Sequence, residues 1–392
     1  MSTSRWDDAY LDAMRQEGDP AADRAVAAIF ESGEVTEVNR LLSTLIQNDG
    51  VPSSDLPPEV QEYLAASARL PAWADPAMIE CGEELFIEFG ITSTVLLSCA
   101  SLPECYVMKN GIHVLWLTQK LEDHVHRRVL ETAQMIMDVM SPGGLAATGR
   151  GIRSAQKVRL MHASIRHLIL QEADEREEGP PRGFADVLRR HRWNPAYGHP
   201  VCQEDMAYTL MTFSYVGVRG LEDLGVELSD RQKDAYIHCW NIVGHVMGIR
   251  DELLPADHRE AEILFRTIKE RQQGATPEGR AVMAALLGFV EGLFPSLLRG
   301  VPHLLMRELV GDPTADLLGI PAVNGLQRLW QRLLVGMWRW IDRDVEKVDV
   351  NHPRLRQASE RLHLLLLKKW GTMPRGWSRE LFRLPDHLAL EV

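Results

Sequence analysis

His162 lies within the apolar face of a predicted amphipathic helix. The apolar residues of segment 157–170 recur at helical spacing: Val158, Met161, Ile165, Leu168 and Ile169. An imidazole inside such a stripe needs a polar partner, because a buried polar group without one costs roughly 1–3 kcal/mol. A backbone carbonyl is one possible partner. A metal ion is another, since neutral imidazole is the commonest metal ligand in proteins.

A second periodic segment, 117–140, carries two polar residues on its apolar face. The positions of that face step by three or four residues: Leu121, Val125, Arg128, Thr132, Met135 and Val139. Arg128 and Thr132 are therefore predicted to be core-facing neighbours, one turn apart. Arginine is almost never fully buried without a partner. The face must meet either an acid elsewhere in the chain or a pocket for an anionic or oxygen-rich ligand.

The run Ser141-Pro142-Gly143-Gly144 separates the two segments and predicts a helix end. Such a break lets both faces fold back toward one volume. A pocket with His162 on one wall and Arg128 with Thr132 on the other has the polarity of a haem site. There a histidine ligates iron, and donors on the opposite wall decide what the haem does with dioxygen.

The motif around His162 resembles a known family. The blocks Thr148-Gly149-Arg150, Lys157-Val158-Arg159-Leu160-Met161-His162-Ala163 and Arg166-His167-Leu168 are similar to the core motif of latex-clearing proteins, or rubber oxygenases. That group includes the membrane-bound oxygenase of mycophenolic acid biosynthesis. Weaker similarity follows downstream, so that the resemblance spans roughly residues 75 to 345: Gln203-Glu204-Asp205, Trp240, Gly244, Gly248, Glu252-Leu253 and Pro255.

The resemblance implies a haem b, bound without covalent attachment, with His162 as the proximal iron ligand. It implies that Arg128 and Thr132 line the distal side. It further implies an oxygenase acting with dioxygen on a lipophilic substrate, such as an isoprenoid or polyketide whose carbon–carbon double bond is cleaved.

The chain departs from the family pattern on the distal side. The family has a lysine just before the distal threonine, where this chain has Glu131. The family's distal carboxylate has no counterpart, since Ile112 and His113 occupy that neighbourhood. His124, one turn before Arg128, is the candidate to replace it as an acid/base group; the alternative is a solvated helix position.

Several further residues are candidates for cofactor contacts. Arg166, one turn after His162, could pair with a haem propionate or face solvent. Arg150 is a similar candidate, as are Arg153 and Arg159. Trp240, Gly244 and Gly248 are predicted to share one helix face, where they could touch the porphyrin edge or serve helix packing.

Composition excludes several functional classes. The chain has 392 residues and a net charge of −12, with no basic stripe, which argues against nucleic-acid binding. The five cysteines show no zinc or c-type haem spacing, and their low number fits a reducing compartment. The start of the chain has no apolar signal region, and the longest apolar run is too short to span a membrane. These features predict a cytoplasmic protein. They do not determine its oligomeric state.

The fold class predicted is all-α, because helical periodicity recurs along the chain and strand signals are scarce. The helices are expected at 22–31, 35–47, 58–68, 76–90, 111–140, 145–175, 203–223, 230–250, 257–273, 277–310, 324–345 and 353–370. With the resemblance, this becomes a multi-helix haem-binding bundle with a globin-like core. Its expected parts are an N-terminal helical extension (1–70), a catalytic domain (71–350) and a C-terminal helical tail (351–392).

Two alternatives remain open. A haem-binding sensor or carrier could use the same pocket without catalysis. A di-iron bundle needs Glu-x-x-His pairs, and the nearest matches are Asp123-x-x-His126 and Glu360-x-x-His363. An absorption spectrum separates haem from di-iron, and turnover with dioxygen separates an enzyme from a sensor.

Overall fold

The computed structural model describes residues 5–31, 56–119, 125–171, 184–294 and 300–325, and within these ranges the fold is helical. The helices, in chain order, are α1 (Asp8–Arg15), α2 (Pro20–Glu31), α3 (Pro58–Ser67), α4 (Pro76–Leu96), α5 (Leu102–Tyr106), α6 (Ile112–Gln119), α7 (Val125–Met140), α8 (Arg150–Leu170), α9 (Phe184–Arg190), α10 (Gln203–Phe213), α11 (Tyr215–Asp223), α12 (Asp230–Val246), α13 (His258–Gln272), α14 (Pro277–Leu293), α15 (Val301–Val310) and α16 (Asp312–Leu318). One isolated bridge, Met108 to Gln273, is the sole β pairing in the described ranges. The all-α prediction is confirmed.

Local sequence explains where the main helices begin. Ser229 and Gln232 form a capping box at the start of α12, in which the side chain of each residue accepts a hydrogen bond from the backbone N–H of the other. Thr276 caps α14 and is followed by Pro277 in the first turn, where proline's missing N–H is not needed. Pro58 starts α3 in the same way.

Some predicted helices are interrupted or shorter in the structure. Segment 203–223 breaks at Ser214, whose hydroxyl donates to the carbonyl oxygen of Leu210 and whose φ and ψ are −91° and −77°. The helix predicted to reach residue 250 ends at Val246, because Gly248 adopts a φ of +82°. The helix predicted from residue 145 begins only at Arg150. Helices α1, α5, α9 and α16 were not predicted.

Other sequence predictions fall partly outside the described residues. The segment predicted as one helix over 111–140 contains α6 and α7, with residues 120–124 not described. The segment 277–310 contains α14 and α15, with 295–299 not described. The helices predicted at 35–47, 324–345 and 353–370 lie almost wholly outside the described residues.

Helix α8 takes part in all three clusters of buried apolar side chains. Ile152 belongs to the main core, which also contains Trp6 and buried apolar residues of α4 and α12. Leu160 and Ala163 pack with α2 and α3. Ile165, with Leu168 and Ile169, packs with α6 and α9. The helix that carries His162 is therefore held on three sides by the rest of the protein.

Candidate functional site

The hairpin formed by α7 and α8 is closed tightly at its turn. A Cβ added at Gly151 would lie only 2.6 Å from Cα of Val139, so the two helix backbones approach as closely as they can. Side chains at Gly144 and Gly149 would likewise collide with backbone oxygens of the turn. Gly143 has a φ of +74°, which favours glycine. The predicted break at 141–144 thus exists, and it fixes the closed end of the hairpin.

Away from the turn, facing side chains are less completely covered. Val139 and Met140 are fully buried, whereas Thr132, two turns earlier on α7, is half-buried. On α8, Ile152 is buried while Val158 and Met161 are half-buried. Burial is therefore complete near the turn and mixed farther along the hairpin, where Val129 on α7 and Leu160 on α8 are also buried.

His162 lies on α8 beyond the turn. The residue is half-buried, and its Nδ1 atom has essentially no accessible surface. Of the apolar face predicted to contain it, Ile165 is buried, whereas Val158 and Met161 are half-buried. The role of His162 as a metal ligand stays a prediction.

The distal residues are only partly within the described structure. Thr132 lies on α7 and is half-buried, as is Glu131 beside it. Arg128 lies on α7 by its backbone, but its side chain falls outside the described part. His124 falls outside it entirely. The distal roles of Arg128 and His124 stay predictions.

Arg166 is buried and bound to an acid of the protein itself. Its side chain is 1% exposed, and Nη2 lies 2.7 Å from Oδ1 of Asp23. Nε also donates to Asp23, and Nη1 donates to the carbonyl oxygen of Val201. The alternative in which Arg166 faces solvent is therefore wrong. A propionate would have to compete with Asp23.

Replacing Asp23 tests which partner Arg166 serves. We expect Asp23→Asn to destabilise the protein by about 2 kcal/mol, because a buried guanidinium loses its counter-charge. Hemin affinity should stay at the wild-type value. Urea unfolding and a hemin titration measure the two quantities. The matched control is Glu262→Gln, which removes an exposed pair with Arg266 and should change stability by less than about 0.5 kcal/mol. Unchanged stability with weakened hemin binding would instead assign Arg166 to the cofactor.

The other candidate arginines differ in their surroundings. Arg159 binds both oxygens of Asp19 and donates to the carbonyl oxygen of Val246. Arg150 is exposed in the first turn of α8. Twelve residues separate it from His162, about 18 Å along the helix axis. The structure therefore places Arg150 at the closed end of the hairpin and His162 at the open end.

Trp240 lies behind α7. Its indole is 1% exposed and stacks on Phe213 with ring centroids 5.3 Å apart. It lines an enclosed cavity of about 20 Å³ together with Ile136, which is one turn from Thr132 on α7. Gly244 and Gly248, which were predicted to share its helix face, have different surroundings. Gly244 packs against Leu210 and Leu254, whereas Gly248 lies beyond the helix against Arg159. The shared-face prediction is wrong for Gly248, because its positive φ ends the helix.

The downstream motif Gln203-Glu204-Asp205 forms an internal polar network. Glu204 is fully buried; its Oε2 lies 2.6 Å from Nε of Arg15, and its Oε1 lies 3.1 Å from Nε of Arg271. Burial raises the pKa of Glu204, while both arginines act to lower it. Gln203 donates to the carbonyl oxygens of Gly18 and Gly248. These residues tie the N-terminal helix α1 to the bundle.

Sequence reasoning missed Glu83 and Asp19. Glu83 accepts a hydrogen bond from the turn of the α7–α8 hairpin, and Asp19 holds Arg159, three residues before His162. Glu83 is one of four glutamates in α4, so the sequence does not single it out. Nothing local to Asp19 indicates a partner 140 positions away.

No cluster of three or more His, Cys, Asp or Glu side chains able to hold a metal occurs among the residues the structure describes. The side chains of the di-iron candidates, Asp123, His126, Glu360 and His363, lie outside that part. None of the described helices is both long and apolar enough to cross a membrane.

A single imidazole beside apolar side chains suits a flat cofactor that brings most of its metal's ligands with it. His162 supplies the imidazole, and Val158 and Met161 on α8 and Met135 on α7 supply half-buried apolar surface. The other half-buried side chains of this stretch of α8 are polar, and they include Lys157 and Arg159.

Comparisons with known proteins agree with this arrangement. A rubber oxygenase from Streptomyces sp. (strain K30) is 26% identical over 314 residues, which cover 79% of this chain and 72% of that protein. A latex clearing protein solved in its closed state superposes with a TM-score of 0.72 at 24% identity, covering 91% of this chain and 90% of the other. That structural likeness establishes the shared fold.

The family model described as "ER-bound oxygenase mpaB/B'/Rubber oxygenase, catalytic domain" matches residues 107–341, which is more than half of the chain and includes both helices of the hairpin. The chain therefore belongs to this family of oxygenase catalytic domains.

Proposed function

We propose that the protein is a haem b-dependent oxygenase that uses dioxygen to cleave a carbon–carbon double bond in a lipophilic, isoprenoid-like or polyketide-like substrate. The family and its rubber oxygenase member support the reaction class. The observation that carries the cofactor proposal is the placement of His162. It is half-buried, with Nδ1 enclosed, on the helix shared by all three apolar clusters.

His162 would hold the haem through a ring nitrogen. When bound, haem supplies the redox chemistry with dioxygen that no amino-acid side chain provides. The protein's part is to fix the imidazole, which the packing of Leu160, Ala163 and Ile165 accomplishes from both sides of the ring's attachment point.

The α7 wall would orient the reactants. The hydroxyl of Thr132 would position dioxygen, and the guanidinium of Arg128 would stabilise negative charge that develops during the reaction. Preorganised donors of this kind can contribute roughly 3–4 kcal/mol to transition-state stabilisation. Glu131 stands where the family has lysine, so this wall offers a carboxylate as the ionisable group beside Thr132.

The apolar lining would bind the substrate and exclude water. Val158 and Met161 on α8 and Met135 on α7 are half-buried and offer flexible apolar surface to an unsaturated hydrocarbon. In the overall reaction the alkene and dioxygen give two carbonyl products. Each alkene carbon receives one oxygen atom, so no other reductant or oxidant is consumed.

The first test is a spectrum of the purified protein, as isolated and after dithionite and carbon monoxide. A Soret band that shifts with carbon monoxide supports haem b. Protein that stays colourless after addition of hemin would exclude it, and bound iron without a Soret band would point to a di-iron centre. Oxygen consumption with an unsaturated isoprenoid, and none with its saturated analogue, separates an oxygenase from a haem sensor.

Replacing the distal residues should separate binding from turnover. We expect Arg128→Ala and Thr132→Val to retain the Soret band and hemin affinity but to lower kcat/KM by about a hundredfold, since each removes a donor used only during reaction. Oxygen uptake and absorption spectra measure both quantities. Gln134→Ala, an exposed position on the same helix, is the control and should leave both unchanged. Loss of hemin from either distal variant would mean that the residue holds the cofactor.

A further inference from the structure

The buried carboxylate Glu83 joins α4 to the turn of the α7–α8 hairpin. The residue is 8% exposed, and its Oε1 and Oε2 atoms accept the N–H of Gly143 at 3.1 Å and 3.2 Å. Burial raises the pKa of Glu83, whereas hydrogen bonds from the N–H groups of Gly143 and Leu145 oppose that rise. The carboxylate therefore takes backbone donors from both sides of Gly144.

On α4, Glu83 directly follows a close contact between α4 and α12. A Cβ at the preceding residue, Gly82, would lie 2.5 Å from Sγ of Cys239 and 2.9 Å from the carbonyl oxygen of Ala235. Helix α4 therefore contacts α12 almost backbone to backbone, one residue before Glu83. The carboxylate cannot move away from α12 without opening this contact.

Backbone hydrogen bonds connect the turn of the hairpin to the first turn of α8. The N–H groups of Gly151 and Ile152 both donate to the carbonyl oxygen of Gly144, at 3.0 Å and 3.3 Å. The N–H of Gly144 in turn donates to Ser141 at the end of α7. A continuous chain of short contacts thus runs from α12 through Gly82, Glu83 and Gly143 to the first turn of α8.

A small change in the angle between α7 and α8 at the turn produces a larger displacement at the level of His162. His162 is eleven residues beyond Gly151, about 16 Å along the helix. A change of about 5° in the angle between α7 and α8 at the turn would move their open ends apart by about 1.4 Å. Misplacement of about 1 Å can cost a hundredfold in rate.

We propose that Glu83 is a positioning residue that locks the α7–α8 hairpin against the α4–α12 pair and so sets the angle at which α7 and α8 leave the turn. The role of that angle in holding haem rests on the proposed function. The mechanical part of the proposal does not, because the contacts of Glu83 exist without any ligand.

Amide hydrogen exchange tests the mechanical part. In Glu83→Ala, exchange across residues 141–149 should accelerate by about tenfold or more, the factor expected when backbone donors lose a charged acceptor. Glu83→Gln keeps one acceptor oxygen and should show an intermediate rate; it also serves if the alanine variant fails to fold. Glu84→Gln, an exposed neighbour on α4, is the matched control and should exchange as wild type. Wild-type exchange in Glu83→Gln would overturn the proposal.

Hemin titration then tests the positioning role. Affinity should fall in the order wild type, Glu83→Gln, Glu83→Ala, with a loss of about tenfold for alanine, equal to about 1.4 kcal/mol. The spectrum of the remaining complex should broaden or shift, while Glu84→Gln stays at wild type. Faster exchange with unchanged affinity and spectrum would overturn the positioning role. If wild type binds no hemin, the proposed function fails, and the exchange result still decides whether Glu83 locks the hairpin.

Discussion

His162→Ala is expected to give a folded protein without a Soret band. Removing the imidazole takes away the side chain on α8 that we propose as the iron ligand. Hemin affinity should fall by at least about a hundredfold, equal to about 2.8 kcal/mol. The helix itself should survive, because its three packed faces do not depend on residue 162. Absorption spectra before and after hemin addition, with circular dichroism to confirm folding, measure the result.

His167 offers a matched control on the same helix. Its ring is half-buried, stacks on Phe30 with centroids 4.6 Å apart and contacts Gln171 through Nε2 at 2.8 Å. Burial lowers the pKa of His167, so its imidazole is neutral at neutral pH and could bind a metal. His167→Ala should keep the Soret band. A normal band in His162→Ala would refute the ligand assignment, and its loss only in His167→Ala would transfer the assignment.

Gly151→Ala is expected to destabilise the protein by about 3 kcal/mol, although alanine is normally the better helix former. The added methyl carbon would lie 2.6 Å from Cα of Val139, so the two helices must separate. Forcing atoms into a packed interface costs typically 1–3 kcal/mol, and here the colliding atom is backbone, which cannot rotate away. The variant should also bind hemin more weakly, because the hairpin angle changes. Urea unfolding and hemin titration measure the two effects.

Gly288→Ala is the control for this substitution. Gly288 lies within α14, and a Cβ there meets nothing within 4 Å. Alanine should therefore stabilise the protein by about 0.5–1 kcal/mol through helix propensity alone. Opposite signs for the two variants would establish the close crossing at Gly151. Equal stabilisation by both would mean that α7 and α8 do not touch there.

The sequence was sufficient for the fold class and for part of the apolar face of α8, because both depend on local periodicity. The spacing of Ile165, Leu168 and Ile169 relative to His162 is a property of one helix, and the structure buries those three side chains. The break at Pro142-Gly143 was also readable, since proline and glycine act on their own backbone.

The sequence did not predict the partners of Arg166 and Arg159. Arg166 and Arg159 are bound by Asp23 and Asp19, which are more than 100 positions away and carry no local signal for this pairing. The end of α12 was missed for a different reason. Gly248 is compatible with a helix by spacing, and only its contact with Arg159 and its positive φ exclude it.

The bonds of Arg159 also constrain the order of events during synthesis. Its guanidinium binds Asp19, made 140 residues earlier, and Val246, made 87 residues later. Long-range contacts of this kind form slowly and only after the later partner has left the ribosome. The helix bearing His162 therefore gains this anchor only after residue 246 has been synthesised, well after the helix itself has left the ribosome.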